Sequence, residues 1–349
     1  MNRFFKGFFM AVIKDVAKHA GVSQSTVSKY LNTPELLSED YRIRVAKAVE
    51  ELNFKPSNIA RSMRSKKTKQ IAIIVPDLVN PFYSEVFSEM RTYAGKQGYS
   101  VLVYTTEDDL VELNKFIDNI DSIFADGIIF CFLDEDGITQ HIDDIHDKIP
   151  ITLISWDIRS TKFNSVILSL NNSIFQISQY MTSLGHQRIA YINGPADSRI
   201  SKEKLDGFSR AMHLAGIDVN DEYIKYGRNR IKHGYHNTSQ LMHLKEPPTA
   251  IVAANDSIAV GCLKYLSQHN YRVPEDIAVT GHDGIQLSYI YDPSITTNVM
   301  PIAEMCKASI DMLINKIERP GSKNRQAIFT ANIVEGKSTN PNAPSIIDL

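Results

Sequence analysis

The sequence predicts an α/β core of parallel sheets behind an all-α N-terminal domain, and three observations predict it. Near the start, Ile13-Lys14-Asp15-Val16-Ala17-Lys18-His19-Ala20-Gly21-Val22-Ser23-Gln24-Ser25-Thr26-Val27-Ser28-Lys29-Tyr30-Leu31-Asn32 reads as two short amphipathic helices separated by a glycine-containing turn. From Ile71 onward, short apolar runs alternate with longer amphipathic segments, the pattern of strands joined by crossover helices. The length of 349 residues exceeds what one small core organises, so two or three domains are expected.

In chain order, the first element is a helix-turn-helix. Ala17 leaves room for a closely crossing second helix, Gly21 can take the positive φ that ends the first, and Val27 plugs the crossing. Ser23 is placed to cap the second helix, which puts Gln24, Ser25 and Lys29 where such a helix meets base edges and phosphates. A third helix is expected from a Ser38 cap, with Tyr41, Val45, Ala48, Val49 and Leu52 at helical spacing and Pro56 as its stop. Residues 57–69 form a basic linker too short for a stable helix by itself. The helical pattern needs nothing before Val12, so the first domain is taken from Met10.

Strands are expected at Ile71–Val75, Val101–Tyr104, Gly127–Phe132, Ile151–Ser155, Ile189–Asn193, Ala250–Ala253 and Ile277–Gly281. Four of their junctions are polar: Pro76-Asp77, Asn193-Gly194-Pro195, Asn255-Asp256 and Gly281-His282-Asp283-Gly284. Ligands of open α/β sheets bind at the carboxyl ends of strands, so these junctions make the candidate small-molecule site.

Charge is divided unevenly. Residues 1–69 hold 14 Lys and Arg against 6 Asp and Glu, a net +8, leaving 24 against 34, a net −10, in the other 280. The basic excess coincides with the helix-turn-helix, which makes DNA the first partner to consider. No apolar run approaches a membrane span and none reads as a secretory signal, so a cytoplasmic protein is expected. The three cysteines, Cys131, Cys262 and Cys306, lack metal-ligand spacing and read as reduced, buried thiols.

The order of several strings resembles the LacI/GalR family of bacterial transcription regulators from about Val12 to Gly336. They include Ile13-Lys14-Asp15-Val16-Ala17, Ala20-Gly21-Val22-Ser23, Thr26-Val27-Ser28, Ala60-Arg61-Ser62-Met63, Asn80-Pro81-Phe82, Leu184-Gly185-His186, Asn255-Asp256 and Val273-Pro274-Glu275-Asp276. The resemblance implies a core of two Rossmann-like subdomains of the periplasmic-binding-protein type I fold. Expected boundaries are 10–56 for the DNA-binding head, 57–69 for a hinge helix, 70–168 plus 298–329 for one subdomain, and 169–297 plus 330–349 for the other. It further implies a homodimer on a pseudo-palindromic operator, with a small effector between the subdomains, most simply a sugar, and no cofactor.

Carried over to matching positions, DNA contacts fall to Lys14, Ser23, Gln24, Ser25, Thr26, Ser28, Lys29 and Asn32, and in the hinge to Asn58, Ala60, Arg61 and Met63. Met63 sits where the family has a minor-groove wedge, though packing hinge helix on hinge helix would also use it. Effector contacts fall to Asp77, Phe82, Tyr83, Trp156, Arg199, Lys204, Asn229, Asn255 and Asp283. Phe82 and Tyr83 also suit a core, and Asn255 also suits a helix cap. Asp283 is the strongest, because its flanking glycines suggest a tight turn that exposes it. Three departures rewire this pocket: Lys204 replaces a forked arginine, with Arg199 near enough to compensate; Gly281-His282-Asp283-Gly284 replaces a doubly acidic string; and Asn229 stands where an aromatic ring is common.

The rival readings are weaker. The chain has no Gly-x-Ser-x-Gly elbow, phosphate-cradling lysine loop or dinucleotide fingerprint, so an enzyme is not expected. His233, His236 and His243 lack the accompanying thiols or carboxylates of a metal site, and none is expected. A transport-type receptor would share the core but not the head. The Gly336–Pro344 segment has no heptad run that would make a tetramer.

Overall fold

The computed structural model describes residues 11–55, 67–107, 109–132, 142, 145, 148–155 and 162–344. The chain divides into two compact units, residues 1–68 and 69–349.

In the first unit, α1 (Ile13–Ala20), α2 (Gln24–Asn32) and α3 (Glu39–Glu51) enclose a small core of Val16, Ala17, Ala20, Val27, Val45 and Ala48. Gly21 ends α1 at φ +63°, and the reason for glycine is twofold. A side chain there would be strained, and its Cβ would fall 2.8 Å from the Arg44 guanidinium. That guanidinium donates to the carbonyls of Ala20 (2.7 and 3.1 Å) and Gly21 (2.9 Å), closing the end of α1 from the third helix. Three expectations for α3 are corrected. Ser38 occupies the N-cap position without a side-chain cap bond, Tyr41 points outward at 43% exposure, and the helix stops at Glu51, with Asn53 at φ +44°, before Pro56 is reached. The expected hinge helix at 57–69 lies largely outside the described residues.

The second unit holds two six-stranded sheets. Sheet one is parallel throughout, with the order β11 (Gln326–Phe329), β5 (Asn164–Leu168), β4 (Ile151–Ser155), β3 (Gly127–Cys131), β1 (Gln70–Val75), β2 (Ser100–Thr105). Its central strands are apolar on both faces. Ile71, Ile73 and Val75 meet α4 (Pro81–Lys96) and α11 (Ile302–Glu318), while Ala72 and Ile74 meet α5 (Leu110–Asp118).

Sheet two runs β12 (Asn332–Val334), β10 (Thr296–Val299), β9 (Ala278–Asp283), β8 (Ala250–Ala253), β6 (Ile189–Ile192), β7 (Ile224–Lys225); only β12 is antiparallel to its neighbour. Around it pack α6 (Leu170–Ser183), α7 (Arg199–Leu214), α8 (Ile231–Met242) and α9 (Asp256–Gln268); the short α10 (Gln286–Ile290) follows β9. Helices α8 and α9 touch backbone to backbone: a Cβ on Gly234 would lie 2.1 Å from the Ile258 carbonyl oxygen, and one on Gly261 2.0 Å from that of Ile231. This contact fixes the starts of both helices side by side.

The chain crosses between sheets after β5, after β10 and between β11 and β12. The expected second boundary at residue 297 cuts through a strand; Asn298 and Val299 pair with β9 and β12 in sheet two, and the crossing falls at Met300–Pro301. Among the described residues no helix is long and apolar enough to cross a membrane. The three cysteines are free and buried.

Candidate DNA-binding face and interlobe cleft

On the head, Ser23 caps α2 by accepting the Thr26 amide (3.1 Å), and its hydroxyl also meets those of Ser25 (2.6 Å) and Thr26 (2.8 Å). Val27 is fully buried, so the opposite side of the helix is free to project outward. Gln24, Ser25, Lys29 and Asn32 are exposed there, Thr26 and Ser28 are half-buried, and Lys14 is exposed on α1. Asn32 donates to the Ser28 carbonyl at 2.8 Å, fixing the last turn. Asn58, Ala60, Arg61 and Met63 lie outside the described residues.

In the core, segments that follow β1 on one lobe meet segments that follow β7, β8 and β9 on the other, and these junctions line the cleft between the lobes. Asp77, after β1, is 3% exposed; its Oδ1 accepts the amides of Val79 (2.7 Å) and Asn80 (2.8 Å) and one N–H of Arg230 (2.8 Å) from the opposite lobe. Asn80 caps α4 and also accepts the Ser257 hydroxyl across the cleft at 3.3 Å. Glu85, one turn along α4, accepts the Gln286 amide at 2.9 Å, and burial raises its carboxyl above the ordinary value. Ile200, Ile285 and Leu287 of the second lobe pack on the apolar core of the first.

The second lobe supplies a buried charge cluster. Asn255 caps α9 through the Ile258 amide (2.8 Å), so the cap reading holds for this residue. Asp256, fully buried, accepts the amides of Gly284 (2.8 Å) and Ile285 (3.0 Å) and the Thr297 hydroxyl (2.7 Å). Burial, with Asp283 beside it, pushes its carboxyl well above the carboxylate range. Asp283 ends β9 at φ +123° and is 5% exposed, which corrects the expectation that its turn exposes it: the strand continues through Asp283 and the turn begins only at Gly284.

Burial pushes the Asp283 carboxyl up to about 7, against the pull of Lys204. Lys204 is itself buried and donates to the Ala254 carbonyl at 2.7 Å; burial lowers its pKa while Asp283 and Asp256 oppose the fall. His282 meets Asp283 at 3.0 Å, and burial followed by Lys204 holds its imidazole neutral, so this contact is a hydrogen bond rather than an ion pair.

The remaining expected positions are distributed around this cluster. Phe82 belongs to the core at 2% exposure, edge-on to Phe132 (5.0 Å) and Tyr83 (5.2 Å), which leaves Tyr83 as the half-buried ring of the three. Arg199 pairs with Glu203 on its own helix at 3.2 Å. Asn229 lies over Gly194 at the end of β6, where a Cβ would come 3.1 Å from its Oδ1. Trp156 lies outside the described residues. Among the described residues no group of His, Cys, Asp and Glu could hold a metal, and His236 and His243 bond separately to Gln240 and to the Ser239 carbonyl.

Sequence reasoning missed Arg230, Glu85 and Ser257 as cleft residues, and placed Asp256 there only within its strand-end junction. For Ser257 the signal was present, since it follows that junction directly. Nothing local marks Arg230, whose partner lies 153 positions away.

A helix-turn-helix unit and a two-lobed α/β unit with a polar interlobe cleft define the class of ligand-responsive DNA-binding regulators. Residues 12–57 match the family model for bacterial regulatory proteins of the lacI family, and residues 178–339 match a periplasmic binding protein-like domain. The chain is 32% identical over 329 residues to the ribose operon repressor of Escherichia coli K12, covering 93% of this chain and 99% of that one. It is 30% identical over 326 residues to the HTH-type transcriptional repressor PurR of Vibrio atlanticus, covering 93% and 98%. Among solved structures, the Lac repressor bound to ONPG in the repressed state superposes with a TM-score of 0.84 at 25% identity, covering 95% of this chain and 100% of that chain. The chain belongs to the LacI family of bacterial regulatory proteins, and it is a DNA-binding transcriptional repressor rather than an enzyme.

Proposed function

We propose that this repressor works as a homodimer on a pseudo-palindromic operator, and that a sugar or sugar derivative held in the interlobe cleft sets its operator affinity. The observation that carries the reading is the convergence on one cleft of acceptors and donors from both lobes: Asp77 and Asn80 from one, Arg230, Lys204, Asn255 and Asp283 from the other. Such paired donors and acceptors suit a molecule with many hydroxyls, and the half-buried Tyr83 ring of the same lobe as Asp77 offers an apolar face. The relative named for the ribose operon supports the same class. Because Asn80–Ser257, Asp77–Arg230 and Glu85–Gln286 tie the lobes together, a ligand that alters their spacing couples the cleft to DNA binding by differential affinity for two arrangements. Repression of genes places the protein with the chromosome, in the cytoplasm.

On DNA, Gln24, Ser25 and Lys29 read the major groove, with Lys14, Ser23, Thr26, Ser28 and Asn32 holding the helix on the backbone. Asn58, Ala60, Arg61 and Met63 contact the operator centre. The test is binding to a genomic fragment library as a function of salt, repeated on the enriched site with a panel of sugars and nucleobases. A pseudo-palindromic site with steep salt dependence, shifted in affinity by a sugar, is the expected result. A shift by nucleobases alone overturns the sugar assignment. Lys29→Ala should reduce the salt slope by about 1 or relax one base position; neither change would remove Lys29 from the interface.

A further inference from the structure

Arg230 stands at the N-cap position of α8 and reaches across the cleft to Asp77. Its position is not free to drift, because α8 is held to α9 by the Gly234 and Gly261 backbone contacts. Asp77 is equally fixed: two amides of its own loop hold Oδ1, and Arg230 is the third donor to that same atom. Oδ2 of Asp77 makes no hydrogen bond among the described residues, and Nε and Nη2 of Arg230 donate to none of them. The Arg230 side chain keeps 25% exposure against 4% for Asp77. Opposite lobes therefore present an acceptor and a donor next to each other, joined end-on through a single 2.8 Å bond.

We propose that Arg230 and Asp77 together clasp a vicinal diol of a neutral sugar, which makes Arg230 a specificity-determining residue of the effector site. This rests on the carbohydrate reading above. One hydroxyl donates to Asp77 Oδ2 while its neighbour accepts from the Arg230 guanidinium, and each satisfies a polar atom that the Asp77–Arg230 bond leaves unused. The pairing also selects against anions. A carboxylate or phosphate would gain Arg230 but be set against the Asp77 carboxylate, whereas a neutral diol complements both. A flat nucleobase lacks two adjacent hydroxyls and leaves one partner unpaired.

The test is calorimetric titration of the full-length protein with neutral pentoses and hexoses and their single-deoxy counterparts, comparing the wild type with Arg230→Gln and Arg230→Lys. The wild type should bind a parent sugar 10- to 100-fold more tightly than the counterpart lacking one diol hydroxyl. Arg230→Gln should bind the parent about as weakly as the wild type binds that deoxy sugar, and should no longer distinguish the two; Arg230→Lys should recover part of the difference. A purely structural role would weaken both sugars equally, and that result, or unchanged parent binding by Arg230→Gln, overturns the clasp. The deoxy comparison on unaltered protein stands even where a variant fails to fold: no loss for any single-deoxy sugar overturns the proposal. If only nucleobases or sugar acids bind the wild type, the carbohydrate reading falls first and the clasp with it.

Discussion

In the head, six buried apolar residues lying within about one-tenth of the sequence hold α2, and Gln24, Ser25 and Lys29 face outward from it. Between the lobes, the polar groups are themselves buried, and they come from segments as far apart as Asp77 and Asp283. The difference teaches where free energy is stored. The head should lose Gln24 or Lys29 without losing its fold, because both side chains are exposed on the side of α2 away from its core. The second lobe cannot lose Asp256 or Lys204 in the same way, because Asp256 holds the Gly284 and Ile285 amides and the Thr297 hydroxyl and Lys204 holds the Ala254 carbonyl.

The largest test of that contrast is Val27→Asp. A charge at the centre of the head's buried core should cost about 4 kcal/mol and abolish operator binding, while thermal stabilisation of the core by effector persists; loss of both would show that the two units do not fail separately. Next comes Asp256→Ala, which strands the Gly284 and Ile285 amides and the Thr297 hydroxyl and should cost about 3 kcal/mol in urea denaturation of the core. An unchanged midpoint would mean that solvent replaces those bonds and that the acid is not structural.

A third test is pH. Asp283 holds its proton up to about 7 when folded, against an ordinary value of 3.8, so between those values the folded state keeps a proton that the unfolded chain has released. Its contribution is fully present below pH 4 and lost as pH rises through about 7. Lys204, Asp256 and His282 face it, and His282, buried neutral, acts oppositely by removing stability as pH falls below 6.5. Relative to Asp283→Asn, the wild type should therefore lose about 3 kcal/mol between pH 4.5 and 7.5. A constant difference would place the titration elsewhere. The smallest effect is expected for Arg44→Ala, which uncaps the end of α1 and should cost about 1 kcal/mol in the head with sugar binding untouched, read by melting of the head's circular-dichroism signal.

Much of this architecture was legible. Ala17, Gly21 and Val27 lie where one geometry demands their types, and β1, β3 and β8 are apolar runs that admit little else. Two of the strands that escaped notice, β5 and β10, share a physical reason. In β5 and β10 the buried positions include Asn164, Ser165, Thr296, Thr297 and Asn298, and several of these bond groups far along the chain, as Asn164 does with the Met312 carbonyl (3.2 Å) and the Arg325 amide (2.9 Å). No local periodicity reports a polar residue whose partner is 148 positions away. The same holds for Asp283, whose neighbouring glycines suggest an exposed turn. Only the observed register shows β9 continuing under it.

The triple crossing has a consequence for synthesis on the ribosome. The head is chemically complete once residue 54 has emerged, but sheet one waits for α11 to cover it and for β11, at 326–329, to finish its edge. Sheet two waits still longer, for β12 and for Ser338, whose hydroxyl bonds the Val279 carbonyl at 2.6 Å. Both lobes are thus sealed only by the final tenth of the chain, so a stop codon near residue 320 should release a nascent product that carries a finished DNA-binding head on a core with neither lobe closed.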